Sequence, residues 1–188
     1  MSPVVMSPVG TSRSRLHLVG AALAVAALVG VTAGCSDDAA EVAADGPVEV
    51  TLVDFAFEGL PESVPAGTEF TVVNAADAEL HELVAFRLPD GEDRSIGELV
   101  QLSPGELVAA LGEPAAVILA VPGGDPIHAV GDGTLSEPGR YALMCFIPTG
   151  ADPGEYLAAA AESDGPPQVD GGPPHFVHGM AAELTVTG

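Results

Sequence analysis

Lysine and tryptophan are both absent from the 188 residues, and basic character is confined to five arginines, Arg13, Arg15, Arg87, Arg94 and Arg140. Against them stand 27 Asp and Glu, a formal charge of −22. Nucleic acid is thereby excluded as a partner, because affinity for a phosphate backbone comes mainly from Lys and Arg displacing counterions. Anionic membrane surfaces are disfavoured for the same reason. Aromatic residues make up only 4% while Gly and Pro number 23 and 17, which favours many turns over long aromatic-packed helices. The chain is long enough for one buried core and hardly two. Cysteine is scarce as well, with Cys35 and Cys145 the only two.

What is present at the N-terminus sorts the protein into a compartment. Arg13 and Arg15 precede an apolar stretch from Leu18 to Val31, followed by Thr32-Ala33-Gly34-Cys35. This is a signal-peptide layout. The segment resembles a bacterial lipobox, with Thr32 in place of the usual Leu, which implies cleavage after residue 34 and a lipid on Cys35. An uncleaved anchoring helix is the alternative, since 17 residues from Leu18 to Gly34 lie at the short limit of a membrane span. Both readings place the remainder outside the cytoplasm. Removing residues 1–34 takes away Arg13 and Arg15 and no acid, so the charge moves from −22 to −24. Residues 35–47 carry four acids without apolar periodicity and read as a flexible acidic tether, leaving 48–188 as one domain.

Lipidation of Cys35 would leave Cys145 without an intramolecular partner, and a lone thiol in an oxidising compartment needs a reason. It can be an inert buried hydrophobe, an intermolecular disulfide, or a thiolate held by a metal.

Along 48–188 the pattern is mostly β. Val48–Phe57 is rich in β-branched and aromatic residues, turns follow at Gly59, Pro61 and Pro65-Ala66-Gly67-Thr68, and Glu69–Val73 alternates before Asn74. His81–Arg87 is apolar on both faces, as in an interior strand. Between 88 and 137, Ser95-Ile96-Gly97-Glu98 and Ser103-Pro104-Gly105-Glu106 fit capping boxes and predict one or two short helices. Val117–Val121 returns to strand character, and His128 falls in a Gly/Pro-rich stretch read as an exposed loop. Pro138–Ile147 reads as a turn and strand with Tyr141, Leu143 and Cys145 on one face and Met144 on the other. Asp152-Pro153-Gly154-Glu155 opens a third helix, and Ala182–Thr187 is the closing strand.

Four residues of metal-binding type sit at strand ends or just outside them: His81, Cys145, His175 and Met180. Two imidazoles, a thiolate and a thioether form the ligand set of blue-copper sites, with a trigonal His2Cys plane and a weak axial Met. His175 and Met180 lie five apart across a turn containing Gly179, so both can converge on one ion. The order of pieces Pro65-Ala66-Gly67-Thr68, Phe70–Asn74 leading to His81, Pro138-Gly139-Arg140-Tyr141 leading to Cys145, and His175–Met180 resembles a cupredoxin of the plastocyanin and pseudoazurin type. That resemblance implies a Greek-key β-sandwich with short helical insertions. It also implies copper held by His81, Cys145 and His175, with Met180 as axial ligand.

The pattern departs from the family in three places. Thirty residues separate Cys145 from His175 where the family has only a few, Glu82 stands where Asn is common, and His178 is a spare imidazole that could replace Met180. Asn74, Glu82 and His178 are accordingly candidates for supporting or alternative ligands. The favoured expectation is an extracytoplasmic, lipid-anchored electron carrier, not an enzyme. It would transfer electrons through an exposed edge of His175 to a partner protein with a basic docking surface. The alternative is a cupredoxin-fold module that stores or delivers copper, or binds a ligand without metal; a small hydrolase using Cys145 is a third, lesser reading.

Overall fold

Residues 46–163 and 165–188 are described by a computed structural model of the chain. The leader expected over 1–34, Cys35 and most of the tether expected over 35–47 lie outside the described residues. The strands are β1 (Val48–Val53), β2 (Ala56–Glu58), β3 (Ser63–Pro65), β4 (Thr68–Asn74), β5 (His81–Arg87), β6 (Ala116–Ala120), β7 (Ile127–Val130), β8 (Thr134–Leu135), β9 (Gly139–Met144) and β10 (Ala181–Thr187). Helices α1 (Ile96–Leu99) and α2 (Pro104–Leu111) lie between β5 and β6. Helix α3 (Pro153–Glu162) and a 3-10 turn (His175–His178) lie between β9 and β10.

Alternating apolar residues build two facing sheets, one in the order β2-β1-β4-β8 and the other β3-β10-β9-β5-β6-β7. Val50, Leu52, Phe70 and Val72 of the first join Leu83, Ala85, Ile118, Tyr141, Leu143 and Leu184 of the second in the main core. The chain is thus the expected mostly-β sandwich with short helices. Sequence reading did not reveal that β1 runs parallel to β4, with Val50 opposite Val72, or that β3 runs parallel to β10, with Val64 opposite Val186.

The apolar residues on the second face of β5 have a separate cause. Val84 and Phe86, with Ala142 and Met144 of β9, are covered by Leu99 of α1 and by Leu107, Ala110 and Leu111 of α2. Both short helices owe their position to their caps. Ser95 Oγ accepts the Glu98 N–H at 3.3 Å while Glu98 Oε2 accepts the Ser95 N–H at 2.9 Å, and Glu106 Oε2 accepts the Ser103 N–H at 3.2 Å. In α3 the Asp152 carboxylate accepts the Glu155 N–H at 2.9 Å, with Pro153 at the first helical position.

Two local expectations are corrected. His128 belongs to β7, paired with Ile118 at the exposed edge of the larger sheet, instead of a loop. The strand expected through Ile147 stops at Met144, because the backbone beyond it pairs with the segment 175–180. Among the described residues no helix is long and apolar enough to cross a membrane.

Candidate metal centre

Strand pairing brings the first two candidate ligands to one end of the sandwich. His81 opens β5 and Cys145 follows β9, and these antiparallel neighbours are in register with Val84 opposite Met144. The third arrives through a short backbone ladder: the Cys145 N–H donates to Met180 O (3.1 Å), the Phe176 N–H to Cys145 O (2.9 Å) and the His175 N–H to Ile147 O (3.0 Å). Gly179, at φ +114°, lets the chain reverse after His178 so that the Met180 N–H reaches His175 O at 3.2 Å.

The thirty-residue excursion between Cys145 and His175 is closed at its base. Pro148 and Pro174 form an antiparallel bridge, and the Thr149 N–H donates to Pro173 O at 3.1 Å. Its helix α3 sends Tyr156 into the main core, with Leu157 and Val169 packed alongside. Loop-closure cost grows only about 0.6 kcal/mol per doubling of length, so a packed excursion of this size leaves the ligand spacing intact.

His81, Cys145 and His175 are each 0% exposed. Nδ1 of His81 lies 3.0 Å from Nδ1 of His175, Cys145 Sγ lies 3.4 Å from the same His175 atom, and the three donor atoms all fall within 4.8 Å of one another. A metal bound in a trigonal plane at roughly 2.0–2.3 Å keeps its donors about 3.5 Å apart, so this cluster has the dimensions of a ligand set. Burial lowers the pKa of both imidazoles, more than Asp54 raises His81 or Glu79 raises His175, and the His81 ring further disfavours charge on His175. They are therefore neutral and able to ligate. Burial also pushes the Cys145 thiol far up, with the Glu82 carboxylate adding to the effect, so a cation is needed to draw out its proton. The Glu82 N–H points at Cys145 Sγ at 3.5 Å. Soft sulfur beside two imidazoles fits copper among common metals.

Met180 is fully buried. Asn74 makes its hydrogen bonds away from the cluster: its Nδ2 donates to Glu79 O (2.9 Å) and Ala120 O (2.7 Å), and its Oδ1 accepts the Ala76 N–H (2.9 Å). It ties the turn before His81 to β6. Glu82 is buried with its Oε1 accepting the Phe146 N–H at 3.0 Å; burial pushes its carboxyl up to about 7, offset in part by that bond and by the Tyr156 hydroxyl. His178 is exposed, its ring 4.9 Å from that of Phe55, and it does not belong to the donor cluster.

The expected exposed edge of His175 is not found. Phe55 packs edge-on against this ring at 5.1 Å, and Glu79 Oε2 faces its Nε2 at 3.3 Å. Phe55 holds that place from a left-handed backbone conformation, φ +65°, which is costly for an aromatic residue. Phe55, Glu79 and Asp54 escaped sequence reading, since an acid or aromatic in a turn carries no signature until the fold sets it against a candidate ligand; Tyr156 of α3 escaped it because only the fold brings its hydroxyl to Glu82.

No family model matches the chain, and no curated protein matches it. Three auracyanins are among the similar solved structures. The dithionite-reduced auracyanin of Roseiflexus castenholzii is 20% identical, covering 77% of this chain and 99% of that one, with a TM-score of 0.41. Auracyanin B is 18% identical over 77% of this chain and 90% of that one, also at 0.41. Auracyanin A, a "blue" copper protein from Chloroflexus aurantiacus, is 15% identical over 76% and 100%, at 0.35. At these scores the likeness decides nothing about this chain's chemistry, which is carried by its own donor set.

Proposed function

We propose that His81, Cys145 and His175, together with Met180, would hold copper in a type-1 centre of the cupredoxin kind that carries single electrons outside the cytoplasm. The observation that carries this reading is the convergence of two neutral imidazole Nδ1 atoms and one cysteine sulfur within 4.8 Å at zero exposure. Bound copper would supply one reversible one-electron couple. The chain's own contribution is to exclude water, to hold soft and borderline donors in one rigid compromise geometry, and to give up the Cys145 proton on loading. Phe55 and the partly exposed Glu79 both pack against His175, which places that ring on the side proposed to face a partner.

The charge of −24 that remains once residues 1–34 are removed steers the molecule towards a protein with a basic docking surface. Cys35, outside the described residues, is the proposed lipid attachment that keeps the domain at the membrane. Copper delivery fits less well, because handing over an ion requires access that three fully buried donors deny. Catalysis by a Cys145 nucleophile fits less well again, since a reactive thiol is partly exposed and low in pKa.

Addition of copper to the full chain tests the reading. Intense visible absorption from thiolate-to-copper charge transfer is expected, and Cys145→Ser should remove it. A colourless protein at full copper occupancy would refute the type-1 assignment.

A further inference from the structure

Each ligand imidazole has a second nitrogen, and each second nitrogen faces a carboxylate. Asp54, in the turn between β1 and β2, sets Oδ1 3.4 Å from His81 Nε2. Glu79 sets Oε2 3.3 Å from His175 Nε2, a buried atom that makes no aligned hydrogen bond among the described residues, so the carboxylate acts on it by charge and proximity. Glu79 is itself held at both ends. Its carbonyl accepts from Asn74, and its carboxylate accepts the Gly150 N–H at 3.2 and 3.1 Å.

An ionised carboxylate can only accept, so it selects the ring form that carries its proton on Nε2. That choice leaves both Nδ1 lone pairs pointing at each other across 3.0 Å, with the sulfur 3.4 Å away. Lone pairs so placed repel unless a cation, or in the metal-free chain the Cys145 S–H proton, sits among them. The carboxylates therefore impose on the rings an arrangement that a shared ion resolves. They also place negative charge beside a poorly solvated centre, which favours the more highly charged state of the ion.

Resting on the copper reading above, we propose that Asp54 and Glu79 are positioning residues of this centre. They hold both rings with Nε2 protonated, aim both Nδ1 atoms at one ion and stabilise its oxidised state. The cross-over is specific, since the acid beside the first histidine in sequence serves the second.

The test compares Asp54→Ala, Glu79→Ala and Glu79→Gln with the wild-type chain. Asp54 is 56% and Glu79 22% exposed in their side chains, so neither is a core residue, and thermal melts would verify folding. Nitrogen-15 histidine spectra of the metal-free proteins report which ring nitrogens carry protons, without any metal. Copper titration and voltammetry then give affinity and potential. Both Nε2 atoms should be protonated in the wild type. Glu79→Ala should lose this at His175 and Asp54→Ala at His81, each with about a 10–100-fold loss of copper affinity. Glu79→Gln keeps an acceptor but no charge, so it should retain the ring form while the potential rises. Unchanged ring protonation and unchanged affinity in both alanine variants would overturn the proposal even if the wild type is blue. A wild type that stays colourless with copper refutes the copper reading instead, and the ring spectra still decide whether the carboxylates hold the imidazoles.

Discussion

Asn74 shows how much one polar side chain can decide without a hydrogen bond to the candidate ligands. Its amide satisfies two carbonyls and one N–H at the turn before His81. Asn74→Ala should cost about 1–3 kcal/mol, because buried acceptors lose their donor, and denaturant unfolding of the metal-free protein will measure it. At Cys145 the raised thiol pKa makes a different prediction. The proton must leave when the metal enters, while both imidazoles are already neutral at pH 7. Copper(I) binding should therefore release about one proton, and the apparent affinity should rise about tenfold per pH unit through neutrality. Titrations at pH 6.5, 7.5 and 8.5 would settle it, and a pH-independent affinity would mean the thiol is not a ligand. That His81, Cys145 and His175 could form one donor set was legible in the sequence, because ligand chemistry restricts which residue types can serve. Asp54 and Glu79 were not, because acids are common in this chain and only distance distinguishes them.

At the scale of elements, three of the six phenylalanines lock the two ligand-bearing segments together. Phe146, next to Cys145, lies 5.0 Å from Phe176, next to His175, and 5.7 Å from Phe86 of β5. Phe146→Ala should destabilise the fold by about 3 kcal/mol and broaden the copper spectrum, since packing on the far side of the sheet sets the separation of the ligands. The long excursion offers a second probe. A Cβ at Gly171 would stand 2.5 Å from the Pro148 Cβ and 3.2 Å from Thr149 O. Gly171→Ala should therefore cost about 1–3 kcal/mol by overpacking, and hydrogen exchange at Thr149 and Gly172 should quicken as the base of the loop opens. The helices were readable because caps are local: Ser95, Ser103 and Asp152 each begin a helix where the spacing predicts. The end of β9 at Met144 was not, because it depends on a partner thirty residues on.

Charge acts on the whole molecule. Arg140 donates to Glu92 O at 2.6 Å and Arg94 O at 3.1 Å and pairs with Glu183 at 2.7 Å, while Arg94 pairs with Glu92. The Arg94 guanidinium holds the Glu92 carboxyl down at about 2, and Arg140 lowers that of Glu183. A depressed folded-state pKa contributes stability above the ordinary carboxylate range that is lost as pH falls towards the folded value. Melting temperatures should therefore drop between about pH 4.5 and 2, and Arg140→Gln should flatten that part of the curve. An unaltered slope would show that these pairs are fully screened. Association with the proposed basic partner should slow steeply between low and physiological salt, as stopped-flow mixing would show.

By itself the sequence determined the β character, the three helix starts, the acidic balance and the residue types able to hold copper, because alternation, capping and ligand chemistry are local or compositional. The tertiary structure decided the rest. It ran β1 parallel to β4, closed the excursion between Cys145 and His175, buried the ring edge expected at the surface, and set Asp54 and Glu79 against the imidazoles. Those outcomes depend on contacts between residues far apart in the chain, where packing geometry and desolvation act and sequence spacing carries no record of them.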